Sequence, residues 1–190
     1  MCHATIRIIR EEHEALSAVL SSLLQLLSRQ RAAPSPDFAS LRAILFYLDE
    51  FPERRHHRKE AELLFPKLRA RTPLARPLLD RLESDHARGE RRIRDLQHAL
   101  LAFETLGEPR REAFEQAARQ YVDFYFAHMA TEEQEILPLA ERALTERDWI
   151  ELDRAFEPAA GQPDEAAYWS LFTRIVKAVP APAGLSLVAA

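Results

Sequence analysis

Two segments of the chain set a histidine four residues before a glutamate, with a proline six residues beyond it. They are HHRKEAELLFP at residues 56–66 and HMATEEQEILP at residues 128–138. Superposing Pro66 on Pro138 lays His56 over His128, Glu60 over Glu132 and Phe65 over Leu137. In a helix, that spacing puts imidazole and carboxylate on one face, a turn apart. Such a pair can ligate a cation. A single pair is also common on solvated helix surfaces, so the repetition carries the weight. Two further histidines, His13 and His86, lie on stripes of apolar residues elsewhere in the chain.

The elements that must position these residues are helical. The spacing predicts a first helix over residues 6–28, with Ile9, His13, Leu16, Leu20, Leu23 and Leu27 on one stripe. AAPSP at 32–36 ends it, and Asp37 is placed to cap the next helix. The second stripe runs Leu41, Leu45, Leu48, His56 and Glu60, with Pro52 expected to bend or restart the helix. RTPLARP at 71–77 and LGEPR at 106–110 are the next breaks. Between them Leu79, Leu82, His86, Ile93, Leu100 and Phe103 share a face. Beyond them Phe114, Tyr121, Phe124, His128, Glu132 and Ile136 share another.

Three short connections between four long helices predict an all-α, up-down-up-down four-helix bundle over residues 1–145. Residues 146–178 read as two short accessory helices packed on it. Trp149, Leu152 and Phe156 are expected inward in the first, and Trp169, Phe172 and Val176 in the second. Residues 179–190 read as a poorly ordered tail.

Antiparallel threading brings the polar stripe residues to one storey. At ~1.5 Å per residue, His13, Glu60, His86 and Glu132 all fall ~15–20 Å from one end of the bundle, with His56 and His128 about a turn further in. Ionised carboxylates left unpaired there would cost several kcal/mol each. Either the stripes face outward, against the leucine periodicity, or these groups bind cations. Imidazole and carboxylate without thiolate disfavour structural zinc of the cysteine type. Several nitrogens around two carboxylates able to bridge suit a pair of iron or manganese ions, iron ahead of manganese; a single zinc stays open if some candidates are not ligands.

The bulk composition excludes other classes. Apolar residues are 47% of 190, enough for a substantial core, and there are only four glycines. A net charge of −4 shows no bias towards nucleic acid. No 18-residue apolar run predicts a membrane span, and the N-terminal MCHATIRIIREEHEAL lacks the apolar centre of a signal peptide. The single Cys2 cannot close an internal disulfide, and a reducing cytoplasm is the expected compartment.

The chain resembles the hemerythrin-like HHE cation-binding domains. EEHEAL at 11–16, HHRKEAELLFP at 56–66, LESDH at 82–86 and HMATEEQEILPLA at 128–140 match that family's motifs in order, over residues 5–175. The resemblance implies a four-helix bundle holding a non-haem di-iron centre, its ions joined by two carboxylates and an oxo or hydroxo group (Fe–O–Fe). It assigns His13, His56, His86 and His128 as terminal ligands and Glu60 and Glu132 as bridges. Where the family's oxygen carrier has a further histidine, four residues after the helix-three histidine, this chain has Glu90. Glu90 lies about 40° from His86 around the helix and is expected to reach the metals. That substitution argues against simple reversible oxygen carriage and towards redox chemistry or iron handling. His57 is expected to be exposed, with a place in or near the metal shell as the alternative, and Glu133 is an alternative to Glu132. Gly89, on the metal-facing side of the third helix, leaves room for a small ligand or packs closely; Tyr121 reads as a core tyrosine, and His3 and His98 as surface residues.

The expected function is a cytoplasmic di-iron protein that binds oxygen, nitric oxide or peroxide, for sensing, storage or redox chemistry. Its rivals are an oxidoreductase or an iron donor for damaged iron centres, and a metal-poor helical module that dimerises through its aromatic C-terminal helices. Whether it turns over, and which redox partner serves it, stay open.

Overall fold

A computed structural model describes residues 3–30, 36–157 and 163–178 of the chain. Cys2, most of the first predicted loop and the 179–190 tail lie outside the described residues. Among those described, six helices follow one another and there is no strand: α1 (Ala4–Gln30), α2 (38–71), α3 (Arg76–Leu106), α4 (111–143), α5 (Glu146–Phe156) and α6 (Pro163–Ala178). Asp37 caps α2, its carboxylate accepting from the Ser40 N–H at 3.0 Å. Gly107 ends α3 with φ +76°, a conformation that costs glycine little. No helix described is long and apolar enough to cross a membrane.

Side-chain pairs along the helices give the directions. Gln97 meets Asp49 at 3.3 Å and Arg69 meets Asp80 at 2.6 Å, so α2 and α3 run antiparallel. His13 faces Glu133 while Ser17 faces Met129, so α1 and α4 do too. Phe103 packs on Phe114, and His86 lies opposite His128, which sets α3 against α4. The four long helices therefore form the up-down-up-down bundle that the periodicity predicts.

Pro52 does not break α2. The helix runs through it as a widened, π-type stretch over Asp49–His56, in which the His57 N–H donates to the Pro52 carbonyl. A proline ring clashes with the carbonyl four residues back, and a wider turn relieves that clash without ending the helix. The same device appears ahead of Pro66 and Pro138. Phe65 N–H donates to the Glu60 carbonyl, and Leu137 N–H to the Glu132 carbonyl, each five residues back. The repeated motif thus writes the same local distortion twice, each time starting at its glutamate.

The accessory helices cover part of the bundle. In α5 Trp149, Leu152 and Phe156 are buried. Thr5 donates to Asp153 from both N–H and hydroxyl, at 2.8 and 2.7 Å, and His3 stacks on Trp149 at 4.1 Å rather than lying free on the surface. In α6 the buried anchor is Ile175, while Trp169, expected inward, is 54% exposed. Thr145 and Asp148 form a reciprocal cap on α5, and Asp148 also accepts from Arg71 at 2.7 Å. Thr145→Ala should cost about 1 kcal/mol and lower the thermal midpoint by roughly 2–4 °C. Calorimetry checks this, and an unchanged midpoint would mean that the docking of α5 does not depend on its cap.

Candidate metal centre

The apolar core is divided in two. One cluster spans Leu16–Leu27 of α1, Leu41–Leu48 of α2, Ile93–Phe103 of α3 and Phe114–Met129 of α4. The other gathers Ile6, Ile9, Phe65, Leu68, Leu79, Leu82, Ile136 and Leu137 with Trp149 and Phe156 of α5. Between them lies a polar storey. His13, His56, His57, Glu60, His128 and Glu132 are each at most 3% exposed, and the His86 side chain is 12% exposed.

The two glutamates sit at the middle of this storey, and each serves both of its sides. Glu132 Oε2 lies 3.2 Å from His13 Nε2, while its Oε1 lies 3.2 Å from His128 Nε2 and 3.8 Å from His86 Nε2. Glu60 Oε1 lies 3.4 Å from His56 Nε2, and its Oε2 lies 3.6 Å from His86 Nε2. His13 and His56 approach each other at 3.1 Å through their Nε2 atoms. Two four-residue groups result: His13, His56, Glu60 and Glu132, and Glu60, His86, His128 and Glu132. In each, the donor atoms lie within 4.8 Å of one another. The glutamates belong to both.

These donors fit cations and little else. His86 Nε2, both ring nitrogens of His128, Glu60 Oε2 and both Glu132 oxygens are buried with no hydrogen-bond partner. Orphaned polar atoms in such number are costly in an apolar interior. Burial, and then the Glu132 charge, push the Glu60 carboxyl well above its usual range, so without a cation the pair does not ionise together. Burial also opposes charge on Glu132, but His128 and His13 outweigh it and hold its carboxyl well below the usual range. Burial works against a charged His13; the nearby Glu132 and Glu133 carboxylates override it and carry that ring up to about 9. Burial lowers His56, against its hydrogen bond to Glu12, and lowers His57 much further.

A further layer of carboxylates orients two of the rings. Glu12 Oε2 lies 2.7 Å from His56 Nδ1 and is itself held by Lys59 at 3.1 Å. Glu133 Oε1 lies 2.8 Å from His13 Nδ1. Each carboxylate turns the opposite nitrogen, Nε2, towards the centre and raises the basicity of the ring. Glu133, weighed as a stand-in for Glu132, has this outer place instead. Glu12 escaped the sequence reading, although it directly precedes His13 in EEH; nothing in the spacing marks it as facing α2.

Other expectations are corrected. Glu90 is not brought to the centre: its side chain is 56% exposed and lies 3.9 Å from Arg94. The space inside α3 at that level is taken by Glu53 and Tyr125, which hydrogen-bond to each other against Gly89. A Cβ on Gly89 would lie 2.7 Å from Glu53 Oε1, so the glycine serves close packing. His57, expected exposed, is buried and stacks on His86 at 4.1 Å. Tyr121 is buried beside Tyr125, and His98 is exposed.

The shifted groups set how the metal-free protein responds to pH. His13 is raised from 6.5 to about 9, so its stabilising contribution is full below pH 6.5 and lost as pH climbs to about 9. Glu53 is raised from 4.5 to about 8, chiefly by burial, and its contribution is lost in the same direction. Chelator-treated protein should therefore melt lower at pH 9 than at pH 6.5, and saturating cation, which removes the His13 share, should narrow the difference. Thermal scans at the two values, with and without metal, check this; an equal midpoint in the metal-free samples would contradict it.

A family model for the hemerythrin HHE cation-binding domain matches residues 4–140, a span that holds all the residues grouped above. No curated protein matches the chain. With its four antiparallel helices and its polar storey shared between two glutamates, the chain belongs to the hemerythrin HHE cation-binding domain family.

Proposed function

We propose that the chain holds a pair of iron ions, bridged by Glu60 and Glu132, and binds a small ligand such as oxygen, nitric oxide or peroxide there. One observation carries the reading: each of the two central carboxylates presents one oxygen to each histidine pair. A single ion would leave half of those oxygens and imidazoles orphaned. The nitrogen-rich donor set favours iron over manganese, and two carboxylates able to bridge suit a pair of ions rather than a single zinc. Such a pair, when bound, supplies a centre that exchanges electrons with a diatomic or peroxide ligand.

The surrounding residues do the rest. His13 and His56 are aimed by Glu133 and Glu12. His86, the most exposed of the cluster, marks the side closest to solvent. The apolar clusters above and below exclude water from the other directions. Imidazoles must be neutral to ligate, so metal uptake displaces the proton from His13 and acid releases the metal.

Anaerobic loading with ferrous iron, followed by removal of the excess, should leave about two ions per chain. Exposure to oxygen should then produce near-ultraviolet bands that bleach on reduction. Glu60→Ala and Glu132→Ala should each lose at least one ion. Iron well below one per chain in the unaltered protein would end the reading. Steady consumption of nitric oxide or peroxide with a chemical reductant would mark turnover, and a single stoichiometric uptake would mark binding.

A further inference from the structure

Of the buried histidines on the polar storey, His57 has no role in the four-residue groups above. Its surroundings do not explain it as a packing residue. The side chain is 3% exposed, yet neither ring nitrogen makes a hydrogen bond. Nδ1 lies 3.3 Å from Glu53 Oε2 without the alignment of a hydrogen bond. The ring is stacked between His86, at 4.1 Å and 10°, and Tyr125, at 5.8 Å and 5°. Stacking satisfies the ring faces and leaves both nitrogens bare, which in an apolar interior is an unrelieved cost. Its ligating nitrogen falls within 4.8 Å of those of His86 and His128, a third group of three imidazoles.

We propose that His57 is a ligand of the metal position formed by His86 and His128, adding a third imidazole from α2 to that position alone. The inference rests on the metal-centre reading and goes beyond its bridging pair. Glu53 and Tyr125 are the positioning residues. Their hydrogen bond, seated against Gly89, forms a wall behind the ring and leaves Glu53 Oε2 facing Nδ1. Ligation through Nε2 leaves the Nδ1 proton for that carboxylate, as metal-bound histidines commonly require.

The consequence is an unequal centre. The position at His13 and His56 has the four side chains already grouped there, counting the shared glutamates. The other would gain His57 beside its own four, through the nitrogen that lies within 4.8 Å of those of His86 and His128.

The test uses cobalt(II) as probe in the full-length protein under anaerobic conditions, read by proton NMR. An imidazole bound to cobalt through one nitrogen shows its remaining N–H as a strongly shifted, solvent-exchangeable signal. Loaded wild-type protein should show such signals from His13, His56, His57, His86 and His128. His57→Leu should remove one of them and weaken one of the two cobalt-binding steps about tenfold or more, leaving the other step unchanged. Signals from only the other four histidines in the wild-type protein overturn the proposal, whether or not the variant folds. So does a folded His57→Leu protein with an unaltered isotherm and spectrum. Failure of wild-type protein to bind cobalt or iron at all would instead overturn the metal-centre reading.

Discussion

Two carboxylates and a set of imidazoles are enclosed between two dry plugs of leucine, isoleucine and phenylalanine, and the bundle has to tolerate them. Glu60 and Glu132 are each 1% exposed, with histidine nitrogens 3.2 to 3.8 Å from their oxygens. Without cations the site reaches only a partial compromise. Burial holds the Glu60 carboxyl well above its usual range, neighbouring carboxylates carry His13 up to about 9, and several atoms stay without partners. Positive charge placed between the glutamates resolves all three at once.

Much of this was legible in the sequence because it depends on periods. Leucine stripes at steps of three and four give four helices, and short polar connections give their alternation in direction. Once the directions alternate, the storey follows from counting residues, which is why His13, His56, Glu60, His86, His128 and Glu132 could be named together. The widened turns before Pro66 and Pro138 were not foreseen, yet both lie where the proline would otherwise clash with the preceding turn.

What was not legible depends on departures from the period. His57 was assigned outward because it stands 100° from His56 in a regular helix. The stretch Asp49–His56 is wound more loosely, which shifts the residues after it away from their places on a regular wheel, and His56 and His57 are both buried. Glu90 fails for the converse reason. Its helix is regular, and 40° from His86 lies within reach on a wheel, but the wheel does not show that Glu53 and Tyr125 already fill the space beside Gly89. Glu12 and Glu133 were beyond the pattern as well, since an acid next to a ligand reveals its partner only when the facing helix is in place.

The internal repeat carries one more consequence. With Pro66 laid on Pro138, Glu53 falls on Tyr125 and His57 falls on Met129. The first two meet each other in the structure, and that contact closes one side of the polar storey. The second two have different neighbours. His57 lies against His86 of α3, whereas Met129 lies by Ser17 of α1, with Sδ 4.0 Å from the hydroxyl, on the side where His13 stands. The two halves of the bundle therefore present matching glutamates and matching histidines but differ in the residue that follows the histidine. One half offers an imidazole there and the other a soft apolar side chain. Two donor groups built from nearly the same words thus acquire different surroundings through a difference at one site in each copy.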